Sequence, residues 1–255
     1  MTLLAVERIK LLSIRSPWWC LATAIVVSVA LAGLIANFAE PEMLSIGLTQ
    51  TTSQFGLILV MATAALSITT EYRFGTIRAT FQAAPDRGAV LLAKSVVIAA
   101  LTGAAGLVTA FGSWGLAVLL SPEAQLAVTE PGQWRTIAGT GLVYALAGVF
   151  ALAVATLVRQ PAAATTAVLM WPLALESLIP LIPRVGPAVE PWLPFYAANH
   201  FLFGELDDAA VSVNAAGVLS NGDMPFGPWG ALAWFAGVAA VLLAAAVIVT
   251  KRRDA

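Results

Sequence analysis

Apolar residues along this chain come in long, nearly unbroken runs separated by short polar segments, with little of the alternation that marks a half-buried strand. A hydrocarbon layer about 30 Å thick is crossed by roughly 20 helical residues, each advancing about 1.5 Å. Six runs meet that length, at about 18–38, 48–69, 89–120, 136–158, 162–182 and 227–250. The predicted fold is therefore all-α: one polytopic membrane domain covering 1–255, with six transmembrane helices. Pro17 separates the first run from an N-terminal helical stretch over 1–17, and Ser121-Pro122 closes the third run.

Two segments between the runs carry patterns of their own. In the link between spans two and three, Phe74, Ile77, Phe81 and Ala84 recur at helical spacing, while Arg73, Thr76 and Thr80 point elsewhere. Pro85-Asp86 ends the pattern, so the link reads as a short amphipathic helix lying along the membrane surface. The other segment, 183–226, carries Trp192, Phe195, Tyr196, Phe201 and Phe203 in its first half. Aromatic rings favour the membrane interface, which predicts short helices or a re-entrant turn there.

Composition sharpens this picture. The chain is 60% hydrophobic and 11% charged, with a mean hydropathy of +0.88. A soluble domain carries roughly 25% charged residues, so the solvent of this chain is lipid. A net charge of −1 offers no field for nucleic acid. The lone Cys20 excludes an intrachain disulfide framework. Glu7, Arg8, Lys10 and Arg15 precede an apolar run too long for a signal-peptide core, with no small-residue cleavage site after it, so the first run is expected to stay as a span.

Charge also sets the expected orientation. Six spans place both termini on one side, together with the segments near 70–88 and 159–161. That side holds Arg8, Lys10, Arg15, Arg73, Arg78, Arg87, Lys94, Arg159, Lys251, Arg252 and Arg253, against Arg135 and Arg184 on the other. The positive-inside rule puts both termini in the cytoplasm of a plasma (inner) membrane. Glu40, Glu42, Glu123, Glu130, Glu190, Glu205, Asp207, Asp208 and Asp223 then fall outside, with the 183–226 segment.

Few residues suggest chemistry. No G-x-x-x-x-G-K-[ST] phosphate loop occurs, so ATP is not expected to bind this polypeptide. Glu176, just past Trp171-Pro172, is the one acid inside a span; with Pro172, which kinks the helix or opens a backbone carbonyl, it is a candidate pathway residue. Ala24, Ser28, Ala32 and Ala36 form a small-residue stripe suited to close packing at a subunit interface, or arising by chance in so alanine-rich a chain; Ala147, Ala151 and Ala155 form another. His200 lacks a second ligand candidate, so no metal site is expected.

The stretch ERIKLLSIRSPWW near the N-terminus, and SITTEYRFGTIRATF from Ser67 followed by Pro85, Arg87 and Lys94, resemble bacterial ABC type-2 permease subunits. LPFYAANHFL at 193–202 and the last span with its basic tail are similar more loosely. The resemblance implies a permease working as a dimer, identical or related, driven by two separate cytoplasmic ATPases that hold ATP and magnesium. It implies an N-terminal connecting helix and a coupling helix after span two, placing Glu71, Tyr72, Arg73, Gly75, Thr76 and Arg78 at the ATPase contact. Glu71 and Arg73, two residues apart, do not share a face. The N-terminal stretch departs from simple amphipathicity, since Leu4 and Leu11 share a side with Glu7 and Arg15. Export of a drug, antibiotic or lipid is the implied transport. The rivals are a gradient-driven secondary transporter, which would show paired broken helices or midplane charges, an intramembrane protease, whose motifs are absent from the sequence, and a non-transporting scaffold.

Overall fold

The computed structural model describes residues 3–13, 15–84, 86–204, 206 and 224–252. Among them every regular element is a helix, and six helical spans are long and apolar enough to cross a membrane. The chain is an all-α, multi-pass membrane protein. Glu205, Asp207, Asp208, Asp223, Pro85 and Arg253 lie outside the described residues.

A first helix, α1 (Leu3–Ser13), precedes the first span, α2 (Arg15–Phe38). Pro17 falls in the first turn of α2, where its missing N–H has no partner to lose, and does not divide helix from helix as its position suggested. The second span is a broken rod of α3 (Ile46–Thr51) and α4 (Ser53–Arg73), and it begins earlier than its apolar run. Ser45 accounts for the early start, since its Oγ accepts from the Leu48 N–H at 3.0 Å and caps the helix. A short helix, α5 (Thr76–Ala83), links it to α6 (Arg87–Leu120), whose N-terminus is capped by Asp86 accepting from Gly88 and Ala89.

The fourth span, α7 (Pro131–Val158), starts five residues before the expected 136. Pro131 opens it, and Gln133 Oε1 reaches back to accept from the N–H groups of Thr129 and Glu130 at 2.8 and 3.2 Å. The fifth span, Pro161–Leu181, is not uniform. It runs as α8 (Pro161–Met170), a π-helical turn (Trp171–Leu175), α9 (Glu176–Leu178) and a 3₁₀ turn (Ile179–Leu181). Pro172 lacks the N–H that would continue the α ladder, and the turn around it widens. After α10 (Gly186–Val189) and a 3₁₀ turn comes α11 (Pro194–Phe203), then the sixth span, α12 (Pro228–Arg252).

The sequence placed the aromatic half of 183–226 at the interface. The structure instead buries Phe195 and Phe201 of α11 against α7 and α12. Phe195 meets Phe150 and Phe235 at ring-centroid distances of 5.4 and 5.3 Å, so α11 belongs to the bundle.

α7 is the central helix, touching α4, α6, α8, α11 and α12. It lies closest to α6, along a seam where each helix presents glycine to the other. A Cβ on Gly103 would stand 3.2 Å from Gly141 O, and one on Gly106 would stand 2.7 Å from Tyr144 Cγ. Without a hydrophobic force between helices in lipid, such close backbone approach supplies the packing. The α2 stripe of Ala24, Ser28, Ala32 and Ala36 is buried inside this same bundle, against α4 and α6, and so is unavailable to a second subunit. Both described ends of the chain lie at one end of the bundle, where Lys251 Nζ is 3.9 Å from Asp86 Oδ1.

This packing predicts opposite outcomes for two glycines of α6. Gly106→Ala drives a methyl into Tyr144 and Thr140 O and is expected to cost about 1–3 kcal/mol. Gly115→Ala meets nothing within 4 Å and is expected to be neutral or to stabilise by up to ~1 kcal/mol. Thermal unfolding of the two variants in one detergent distinguishes them.

Candidate coupling surface and the charge cluster beneath it

The α4–α5 link is made by its glycine. Phe74 N–H donates to Thr70 O at 2.9 Å and Gly75 N–H to Tyr72 O at 3.3 Å, ending α4. Gly75 then takes φ +70°, the left-handed conformation that other residues enter at a cost, and α5 leaves in a new direction. Phe74 therefore lies off α5, not on its apolar face as the spacing suggested. Ile77 alone of α5 is fully buried, with Phe81 half-buried beside it under the Arg87 guanidinium at 5.4 Å.

The six residues expected at a contact separate into two groups. Arg73, Gly75, Thr76 and Arg78 are exposed, and Phe74 joins them with 72% of its surface free and Arg73 5.6 Å from its ring centroid. An exposed phenylalanine between two arginines is the residue that periodicity hid. Tyr72 is half-buried, its ring 5.1 Å from the Arg159 guanidinium. Glu71 faces inward, on the side of α4 away from Arg73, as their separation of two required.

Glu71 belongs to a cluster joining four helices. Lys94 Nζ of α6 lies 2.8 Å from Glu71 Oε1 of α4 and 2.6 Å from Glu7 Oε2 of α1, with both Lys94 and Glu7 about 1% exposed. Lys10 Nζ, also on α1, lies 3.0 Å from Glu7 Oε1 and donates to Thr80 Oγ1 of α5 at 2.9 Å. Two carboxylates and two ammonium groups balance to zero charge, which lets them leave water together. Glu7 on the Leu11 side of α1 thus has its explanation: that face is buried, and Lys94 receives the carboxylate. Lys94 itself counted in the sequence only as one of the charges setting orientation and as part of the similar segment. The available signal was a lysine a full turn and more inside the apolar run that begins after Arg87.

Glu176 and Pro172 take structural positions. Glu176 Oε1 accepts from Trp171 Nε1 at 2.9 Å and from the Phe195 N–H at 3.1 Å, and Oε2 accepts from the Tyr196 N–H at 2.8 Å. A carboxylate thus satisfies the free N–H groups that open α11, where the helix dipole favours negative charge. The π turn at Pro172 directs Glu176 toward α11.

At the opposite end of the bundle, a groove of about 520 Å³ opens between α7, α11 and α12. Trp134, Gly139, Leu142, Phe201 and Trp229 line it, and Arg135 stands at its rim with Nε donating to Phe201 O at 2.7 Å. Among the described residues no group of three or more His, Cys, Asp or Glu could hold a metal, and His200 lies on α11. No family model and no curated protein sequence matches the chain.

Substitutions at the two sites test these assignments. Lys94→Met strands the buried Glu7 carboxylate and takes a partner from the partly buried Glu71, and is expected to destabilise by about 3–5 kcal/mol, whereas pairing it with Glu7→Gln and Glu71→Gln recovers much of that loss; thermal unfolding in detergent reads both. Glu176→Ala leaves two N–H groups of α11 unpaired at a cost of about 1–3 kcal/mol each. Faster amide exchange confined to 194–203 is the expected signature.

Proposed function

We propose that this chain is the permease subunit of an ATP-driven ABC exporter. The observation that carries the reading is α5 with the turn before it: a short helix between the second and third spans, clamped by its apolar side, with Arg73 and Phe74 of the turn and Thr76 and Arg78 of the helix exposed to solvent. An apolar ring flanked by guanidinium groups is a common composition for the anchor of a protein interface. The reading puts this end of the bundle, with both termini, in the cytoplasm of the plasma membrane, as the positive charge bias requires. Two cytoplasmic ATPases then supply ATP and magnesium, and a second permease subunit completes the pathway.

The charge cluster supports this reading mechanically. Force applied to α5 reaches α1 through Thr80 and Lys10, and passes to α4 and α6 through Glu71, Glu7 and Lys94. Charged partners held at such distances move as one body, so the second and third spans shift with the N-terminal helix instead of absorbing the motion locally. The open groove beside Arg135 is lined mostly by apolar side chains, in keeping with an amphiphilic cargo.

The test begins with a mild-detergent pull-down of the tagged chain from its native membrane. A near-stoichiometric partner carrying a phosphate loop is expected. Phe74→Ala with Arg78→Glu should weaken its recovery about tenfold, equal to ~1.4 kcal/mol. Folding stability should stay within about 0.5 kcal/mol, because both side chains are exposed. A chain recovered alone, while known complexes are captured in parallel, moves the reading to a gradient-driven transporter or a scaffold.

A further inference from the structure

Polar side chains gather at one more place, deep in the bundle where α2, the α3–α4 rod, α6 and α7 meet. Gln50 and Ser53 lie one turn apart on the rod, Ser28 comes from α2, Thr109 and Ser113 from successive turns of α6, and Tyr144 from α7. All six are buried. Tyr144 Oη donates to Ser53 O, and Gln50 Nε2 donates to Ala110 O at 3.1 Å. Gly56 lets the two oxygens approach the rod: a Cβ there would stand 2.5 Å from Tyr144 Oη and 2.6 Å from Ser28 Oγ, so both converge on its backbone.

What sets this seam apart is what its hydroxyls do not do. Elsewhere in the spans, threonines bond back to the carbonyl four residues earlier: Thr63 to Leu59, Thr69 to Ala65, Thr102 to Ile98, Thr140 to Thr136 and Thr156 to Leu152. That back-bond is the usual way to satisfy a hydroxyl in a helix surrounded by lipid. Ser28, Thr109 and Ser113 forgo it. Ser28 and Thr109 lie within reach of the Tyr144 oxygen, which can still accept after giving its one hydrogen to Ser53, but neither hydroxyl stands in bonding geometry to it. Ser28 Oγ, Gln50 Oε1, Thr109 Oγ1 and Ser113 Oγ are all buried with no hydrogen-bond partner among the described residues.

We propose that this seam binds a small cluster of ordered water. Each unpaired group would otherwise cost about 1–3 kcal/mol, and a buried water typically serves about three such groups at once. The ligand must be small, because the site is closed on every side by helices. It must both donate and accept, because Gln50 Oε1 only accepts while the hydroxyls do either. It must be neutral, because the site's side chains are uncharged and a bound ion would stand uncompensated in a low dielectric. Water fits all three requirements. Bridged through water, α2 and the α3–α4 rod are joined to α6 and α7 by bonds that re-form after a small displacement, unlike the fixed contacts of the glycine seam beside them.

Pulsed X-ray hydroxyl-radical labelling of the full chain in lipid nanodiscs, after mixing into ¹⁸O-water, tests this. Bound water is expected to modify Tyr144 although it is 1% exposed, with ¹⁸O uptake slower than at the exposed Phe74, while Phe150, equally buried in an apolar setting, stays unlabelled. Tyr144 as silent as Phe150 overturns the proposal, and so does uptake as fast as at Phe74, which marks a seam open to bulk water. Thermal unfolding gives an independent reading. Ser28→Ala, Thr109→Val and Ser113→Ala are each expected to lower Tm by about 2–4 °C by breaking water bridges. A raised Tm, the relief expected when an unpaired hydroxyl leaves a dry site, overturns it equally.

Discussion

Inside a hydrocarbon layer a polar group keeps the free-energy cost of leaving water unless the protein itself supplies its partner, and this requirement shapes every irregular feature of the bundle. Lys94 shows it most clearly. Its ammonium group is buried between Glu7 and Glu71, and those carboxylates are in turn approached by Lys10, which also holds Thr80. Removing any one charge leaves the others uncompensated, so α1, α4, α5 and α6 are fixed relative to one another by a single electrostatic condition. Replacing the whole cluster with apolar groups is far less costly than removing one member. That asymmetry makes the cluster a device for specifying an arrangement more than a reserve of stability.

The same requirement explains the fifth span. A proline in mid-membrane removes a donor and disturbs the ladder, and Pro172 does so within the π turn. The disturbed backbone places Glu176 where three N–H donors converge, two of them opening α11. A helix that begins inside the bundle would otherwise present unsatisfied N–H groups to an apolar surrounding. The proline, the acid and the buried aromatic helix are therefore parts of one solution.

Much of the architecture was legible because lipid imposes a length and a composition that no soluble fold shares. The six spans, the separate faces of Glu71 and Arg73, and a helix between spans two and three all follow from run lengths and residue spacing, whereas which of the two faces inward does not. What was not legible depends on pairs distant in sequence. Glu7 and Lys94 are 87 residues apart, and each alone resembles a flanking charge near a membrane surface. Glu176 looked like a pathway group because its donors are backbone N–H groups, which every sequence carries silently. The Ala24–Ala36 stripe suggested an outer contact, but a stripe records only that something packs closely, not whether it comes from the same chain. Phe74 was misplaced for a different reason: one glycine at positive φ ended the helix whose period had been counted through it.

The two ends and the middle of the bundle thus differ in how firmly their helices are joined. At the end bearing the termini, ion pairs at 2.6–3.0 Å hold α1, α4 and α6 together, and α5 is tied to them by Lys10. In the middle, α6 and α7 approach closely through glycine, Gly103 against Gly141 O and Gly106 against the Tyr144 ring. Beside that contact, Ser28 Oγ, Gln50 Oε1, Thr109 Oγ1 and Ser113 Oγ have no hydrogen-bond partner among the described residues, while Gln50 Nε2 to Ala110 O and Tyr144 Oη to Ser53 O join the rod to α6 and α7 directly. A push delivered at α5 therefore meets a stiff end first and a compliant seam second. Under the permease reading, that order carries motion through the ion-paired joints to the seam whose water-bridged contacts re-form after a small displacement.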